Sequence, residues 1–232
     1  MAGSKELHFY PGTHEMVWLV NGAVVLKAEA WGGEKADPKK HYDTMKPRQT
    51  TPGRYVVFSY EPYRTNTWAL SKIEWGTKLS LDPTGNHVMF ESRSGGKSWT
   101  RVEDRIPGAA KSELQRLYYL LYGLTGKYDS DGDLVPEIWV FNDFGAYAVR
   151  YFKDRNKNKK LDPKRGEALS GEMIHTTPDN EAQVAQGTEV KLEPSHGCIH
   201  MNPLDRDKFY TAGAFDKGID LVIHGYGEKA SL

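Results

Sequence analysis

One stretch of the chain gathers residue types that do chemistry: Ser195-His196-Gly197-Cys198-Ile199-His200, which holds the only cysteine among 232 residues. A lone cysteine has no internal disulfide partner, so its sulfur serves as nucleophile, metal ligand or core filling. Extended backbone alternates sides with period two, which puts His196, Cys198 and His200 on one face and lets Gly197 admit a close backbone neighbour. Imidazoles beside a thiol stabilise its thiolate and relay its proton, whereas structural cysteines sit among aliphatic side chains. Cys198, His175, His196 and His200 would also make a one-cysteine, three-histidine set for tetrahedral zinc. The Cys-x-x-Cys spacing of most structural zinc sites and the helical His-Glu-x-x-His signature are both missing from the sequence, so no metal is expected. Nucleophilic chemistry needs a histidine base, a group that orients it and backbone donors for an oxyanion, and all three can be found here.

Ser195-His196-Gly197-Cys198, with His175 upstream in Ile174-His175-Thr176-Thr177-Pro178, resembles the catalytic motif of the YkuD-type L,D-transpeptidases. Thr51-Pro52-Gly53 ahead of a strand resembles the N-terminal half of the same family. The resemblance implies a mainly β fold, a YkuD-like sandwich or mixed sheet, here with a helical insertion. It implies Cys198 as the acylated nucleophile and His175 as its base, oriented by the backbone carbonyl of Thr176. Amides around Gly197 and Cys198 would form the oxyanion hole, with His196 supporting the loop and Ser195 and His200 facing substrate. The 23 positions from His175 to Cys198 are a few more than the family usually has, which places an insertion in a loop expected to border the substrate groove. His200 stands where many members have arginine or asparagine, and the bland reading of it is a satisfied, half-buried side chain.

The implied reaction is acyl transfer on peptidoglycan stem peptides without any cofactor. A thioester on Cys198 would be resolved by a diaminopimelate amine (cross-linking), a free D-amino acid (exchange) or water (L,D-carboxypeptidase activity). Two other readings follow from the same resemblance. One is an antibacterial effector acting on a rival's wall, with a secretion or immunity partner. The other is an inactive peptidoglycan-binding module, against which the intact His175 and Cys198 stand.

Composition frames these readings. A 232-residue chain with 38% hydrophobic residues can bury one sizeable core, so a single domain over 1–232 is expected, elaborated at about 61–171. Thirty-one basic residues balance thirty-one acidic ones, which leaves no global field for nucleic acid or anionic lipid. No stretch reaches the roughly 18 apolar residues of a membrane span. The first residues lack a basic segment followed by an apolar one, so no Sec signal is read there, and a periplasmic or wall location requires a trimmed chain or a dedicated export route.

The elements that must position the motif are also legible. Met16–Val20 and Ala23–Leu26, joined by Asn21-Gly22, predict a tight hairpin, because both turn residues tolerate positive φ. A strand is expected over Arg54–Ser59, and short strands over Leu79–Leu81 and His87–Glu91. Leu114, Leu117, Tyr118, Leu121 and Leu124 share one helical face, with Gly123 and Gly126 as stops. Glu137–Phe141 and Ala146–Phe152 read as a second hairpin leading toward His175. Asp129-Ser130-Asp131-Gly132-Asp133 and the Asp154–Asp162 run repeat carboxylates or amides every second residue. Both lack the glycine and the bidentate glutamate of an EF-hand, so solvated turns are expected. After the cysteine, Asn202 as cap and Pro203 at the first turn predict a helix to about Tyr210, whose N-terminus is expected to expose Cys198 and lower its pKa. Ile219–His224 reads as the last strand.

Overall fold

The computed structural model describes residues 3–42, 45–92 and 98–230. In chain order its strands are β1 (Lys5–Tyr10), β2 (Glu15–Val20), β3 (Ala23–Trp31), β4 (Gly53–Glu61), β5 (Leu79–Leu81), β6 (Val88–Ser92), β7 (Ser98–Arg101), β8 (Ala148–Phe152), β9 (Ile174–His175), β10 (Ile199–Met201) and β11 (Asp220–Ile223). The helices are α1 (Val102–Arg105), α2 (Lys111–Tyr122), α3 (Pro178–Gln186) and α4 (Pro203–Thr211). The chain divides into two compact units, one of Met1–Glu61, Ala148–Thr176 and Lys191–Leu232, the other of Pro62–Tyr147 and Thr177–Val190.

In the first unit eight strands form a mixed sheet that closes on itself in the order β1-β11-β4-β8-β9-β10-β3-β2. The β1–β11 and β9–β10 pairs are parallel and the remainder antiparallel. Period-two alternation sets the inner face. Leu7 and Phe9, Tyr55 and Val57, Val149 and Tyr151, Ile199 and Met201, and Leu221 and Ile223 are buried pairs two residues apart, all in one core cluster. Burying a large apolar side chain is worth roughly 1.5–3 kcal/mol, so this face fixes the register of each strand. Phe209 of α4 and Phe215 join the same cluster, which anchors the helix that follows the cysteine. The β2–β3 turn is the expected one, with Asn21 at φ 54 and Gly22 at φ 77.

The second unit has a three-stranded antiparallel sheet, β5-β6-β7, with α1, α2 and α3. Leu114, Tyr118 and Tyr122 of α2 are fully buried at helical spacing, and Gly123 ends the helix at φ 59. Leu124 lies past that end and is exposed, so Tyr122 takes the place on the buried face that the spacing assigns to it.

Glu137–Phe141 does not form a hairpin with Ala146–Phe152. The amide of Leu79 donates to the Glu137 carbonyl and that of Trp139 to Thr77, both at 2.7 Å, while Trp139 Nε1 donates to the Leu70 carbonyl at 2.9 Å. Buried Asn142 donates to the carbonyls of Tyr63 and Ile73 at 2.7 and 2.9 Å, a structural duty that a solvated turn residue lacks. Residues 137–142 are therefore spent inside the second unit, and β8 pairs instead with β4 and β9 in the first.

Candidate active site

The short strands β9 and β10 run side by side with Ile199 opposite Ile174 and His200 opposite His175. The Ile199 amide holds the Met173 carbonyl at 2.8 Å. Both isoleucines enter the core, so both histidines lie on the other face, their ring centroids 4.8 Å apart and edge to face at 73°. His175 is buried, and its Nδ1 lies 2.6 Å from the Thr176 carbonyl. A carbonyl only accepts, so Nδ1 carries the proton and Nε2 keeps its lone pair. Thr176 itself is fully buried, with its hydroxyl 3.4 Å from Nη1 of buried Arg206. His200 is held in the same tautomer by the Glu193 carbonyl, 2.9 Å from its Nδ1.

The loop before Cys198 is tied by Ser195. Its buried hydroxyl donates to the Cys198 carbonyl and accepts from the Gly197 amide at 3.0 Å. Gly197 sits at φ 116, where a Cβ would stand 3.0 Å from Arg48 Nη2 and 3.3 Å from Glu172 Oε1. Only glycine suits both that dihedral and that crowding. On the other side Gly33 brings its backbone against the loop. A Cβ there would stand 1.9 Å from the Arg48 carbonyl and 2.6 Å from the Gly197 amide nitrogen. The Gly33 amide donates to Thr50 Oγ1 at 2.9 Å, and that hydroxyl lies 3.4 Å from the Cys198 carbonyl. Tyr226 closes the ring of contacts, accepting from the Thr50 amide at 2.9 Å and donating to the Gly33 carbonyl. Beside it the buried Glu172 carboxylate accepts from the Thr51 amide at 3.1 Å and the Thr51 hydroxyl at 2.8 Å, and Arg48 Nη2 lies 3.4 Å away.

Electrostatics make both His175 and Cys198 neutral at rest. Burial, aided by His200, pushes His175 down to about 3 against a smaller upward pull from the Thr176 carbonyl. Burial pushes the Cys198 thiol up to about 11; Glu172 adds to this, while the Met173 amide, Arg48 and Arg150 pull the other way. This corrects the expectation of a thiol acidified by a helix N-terminus; Cys198 itself is half-buried. Helix α4 starts only at Pro203, its cap Asn202 accepts from the Leu204 amide at 2.9 Å, and strand β10 intervenes, so the helix end is spent on itself. The expected period-two row also begins only at Ile199, because the Ser195-tied turn occupies 195–198.

The family model of the YkuD L,D-transpeptidase catalytic domain matches residues 4–213. The chain belongs to that family. Solved structures similar to it include an L,D-transpeptidase from Mycobacterium smegmatis, at 13% identity and TM-score 0.38, covering 96% of this chain and 59% of that one. A second is the L,D-transpeptidase (residues 123–326) from Xylanimonas cellulosilytica, at 10% identity and TM-score 0.38, covering 97% and 62%. A third is L,D-transpeptidase 3 from Mycobacterium tuberculosis in complex with a faropenem-derived adduct, at 18% identity and TM-score 0.34, covering 96% and 61%. The chain thus spans about three fifths of the length of these solved chains. No curated protein matches it in sequence.

Within this L,D-transpeptidase domain, His175, Thr176, Ser195, Gly197, Cys198 and His200 come together at the β9–β10 pair, whereas His196 is exposed. The tie on the loop comes from Ser195, and the Gly197 amide expected in the oxyanion hole is occupied by the Ser195 hydroxyl. Sequence reading missed Arg48, Thr50, Glu172 and Tyr226. The adjacent glycines Gly32 and Gly33 are the one local signal that could have suggested a close backbone approach there. Among the described residues, the one group of potential ligands with atoms within 4.8 Å of one another is Asp129, Asp131 and Asp133. These carboxylates bond the amides of Gly132, Leu134, Asp133 and Val135 in their own loop.

Proposed function

We propose that the chain is a cysteine acyltransferase acting on peptidoglycan tetrapeptide stems, with Cys198 as nucleophile and His175 as general base. The observation that carries this is the Nδ1 bond from His175 to the Thr176 carbonyl, which makes Nε2 the lone-pair nitrogen, on the strand beside the one that follows Cys198. Neutral thiol and neutral imidazole suit general-base attack. The proton leaves sulfur as the S–C bond forms, so no thiolate need be stored in the empty site. The Cys198 amide serves as the loop's donor to the oxyanion, since the Gly197 amide is occupied. Collapse of the tetrahedral species breaks the C–N bond of the terminal D-alanine, which departs with the proton taken by His175. A second amine then attacks the thioester and returns Cys198 to the thiol.

A diaminopimelate amine as acceptor gives cross-linking, a free D-amino acid gives exchange, and water gives carboxypeptidase activity. The working place of the enzyme is the periplasm or cell wall, where such stems are found. Incubation of the protein and its Cys198→Ala variant with tetrapeptide muropeptides, with and without a D-amino acid, is the test, read by mass spectrometry. Dimers or exchanged termini in wild type alone support transpeptidation. Tripeptides alone move the reading to hydrolysis, and no change in either sample removes it.

A further inference from the structure

Arg48 lies in the polar segment between β3 and β4, and no part of the reaction above uses it. Its backbone is locked to the nucleophile's loop, because its carbonyl lies against Gly33 and Gly33 lies against Gly197. Its guanidinium packs against the same loop, with Nη2 and Nε 3.0 and 3.1 Å from the point where a Cβ on Gly197 would stand. Gly197 immediately precedes Cys198, and the Arg48 charge is among those that act on the thiol. Yet the side chain is 61% exposed. One face of a planar cation is fixed beside the nucleophile while the remainder meets solvent.

The bland reading is a surface ion pair with Glu172. That carboxylate does not depend on it, being buried and already bonded to the Thr51 amide and hydroxyl at 3.1 and 2.8 Å. The Arg48 contact is longer, 3.4 Å from Nη2. Such a contact steers the guanidinium more than it consumes it, since a guanidinium has five N–H donors and prefers a two-pronged carboxylate. Glu172 therefore acts as a backstop that aims Arg48, leaving donors for an anion that arrives from solvent.

We propose that Arg48 binds the free carboxylate flanking the bond attacked by Cys198, namely the terminal carboxylate of the departing residue. This rests on the acyl-transfer reading. In a peptide whose last residue is released, only one nitrogen and one α-carbon separate the scissile carbonyl carbon from that carboxylate, roughly one residue's length or ~3.8 Å. The guanidinium stands against the residue next to the nucleophile, a matching offset. Arg48 thus makes the site select a chain end: an amidated or extended donor presents no charge there and leaves the guanidinium unpaired.

Two measurements test this, the first without any peptidoglycan. Cys198 is labelled by 2-carboxyethyl methanethiosulfonate and by its neutral carbamoylethyl counterpart; in each a disulfide forms, methanesulfinate departs, and the attacked sulfur lies as many bonds from the carboxyl carbon as the scissile carbon does. A change in thiol ionisation alters both rates alike, so their ratio reports recognition of the carboxylate. Arg48→Gln is expected to lower the anionic-to-neutral ratio about tenfold, the worth of one charge-assisted hydrogen bond discounted for solvent. Arg48→Lys restores part of it, and labelling of Cys198 by the neutral reagent in both variants, with a wild-type melting temperature, certifies an intact site. A ratio that does not move overturns the assignment.

In the second measurement, wild type prefers a tetrapeptide donor over its C-terminal amide, and Arg48→Gln loses about tenfold more in kcat/KM on the acid than on the amide. Equal losses on acid and amide overturn it. If wild type turns over neither peptide, the acyl-transfer reading fails while the reagent ratio still decides the carboxylate site.

Discussion

The resting state of Cys198 is open to direct measurement. With the thiol pushed up to about 11 by burial and by Glu172, about one molecule in ten thousand is thiolate at pH 7, against a few per cent for an ordinary cysteine near 8.5. Between pH 7 and pH 10 the iodoacetamide reaction of Cys198 should rise about a thousandfold, where an ordinary thiol gains about thirtyfold and then levels off. Because Cys198 is the only cysteine, intact-protein mass spectrometry reads the reaction without ambiguity, and Cys198→Ser gives the blank. His175→Asn should leave the slope unchanged, since the imidazole, held down to about 3, is neutral throughout this window. A rate that is flat from pH 5 upward would reveal a stored thiolate and imidazolium pair. That result, or a plateau by pH 9, refutes the neutral-pair account and with it the general-base role of His175.

Further perturbations follow from the same geometry. His175 is near 6.5 in an unfolded chain and about 3 when folded, so its stability contribution is complete above 6.5 and drains as pH falls toward 3. Urea titrations should show about 3 kcal/mol of extra loss between pH 7 and pH 4 in wild type relative to His175→Asn. Gly197→Ala forces a Cβ into φ 116 and against Arg48, and should cost about 1–3 kcal/mol in chemical denaturation together with most of the turnover. Glu172→Gln keeps an acceptor for Thr51 but removes a charge that raises the thiol, so alkylation of Cys198 at pH 8 should become faster; an unchanged or slower rate contradicts the role given to Glu172. Asn202→Ala removes the cap of α4 and should lower stability by about 1 kcal/mol, seen as a Tm drop of about 2–4 °C, with alkylation of Cys198 unaltered.

Local chemistry was legible in the sequence because its signals are local. Asn21-Gly22 reads as a turn and becomes one, and Asn202 with Pro203 reads as a helix start and becomes one, since both depend on the φ preferences and donors of adjacent residues. The Ser-His-Gly-Cys motif with its upstream histidine led to the right family for the same reason. What surrounds the motif was not legible. Arg48 with Thr50, Glu172, and Tyr226 reach the loop from three separate parts of the chain, and no periodicity links those parts. The thiol's pKa was misread because the alternation pattern says which side a residue faces and nothing about how much water remains there. Glu137–Phe141 carries strand-like residues, but tertiary hydrogen bonds through Trp139 and Asn142 decide its fate.

The closure of the barrel bears on when the surroundings of Cys198 are complete. β1 is paired on one side by β2, its neighbour in sequence, and on the other by β11, which a ribosome makes some two hundred residues later. During synthesis the first strand therefore waits with one edge open, and the ring joins only after β11 has appeared. Contacts so distant in sequence delay folding through the entropy of closing the loop between them. Cys198 precedes β11 in the chain, so the thiol exists before the ring of strands beside it is closed. Until the seam closes, that sulfur is an ordinary, more acidic cysteine, open to stray oxidants and electrophiles. The last strand thus completes the surroundings of a thiol that was made before it.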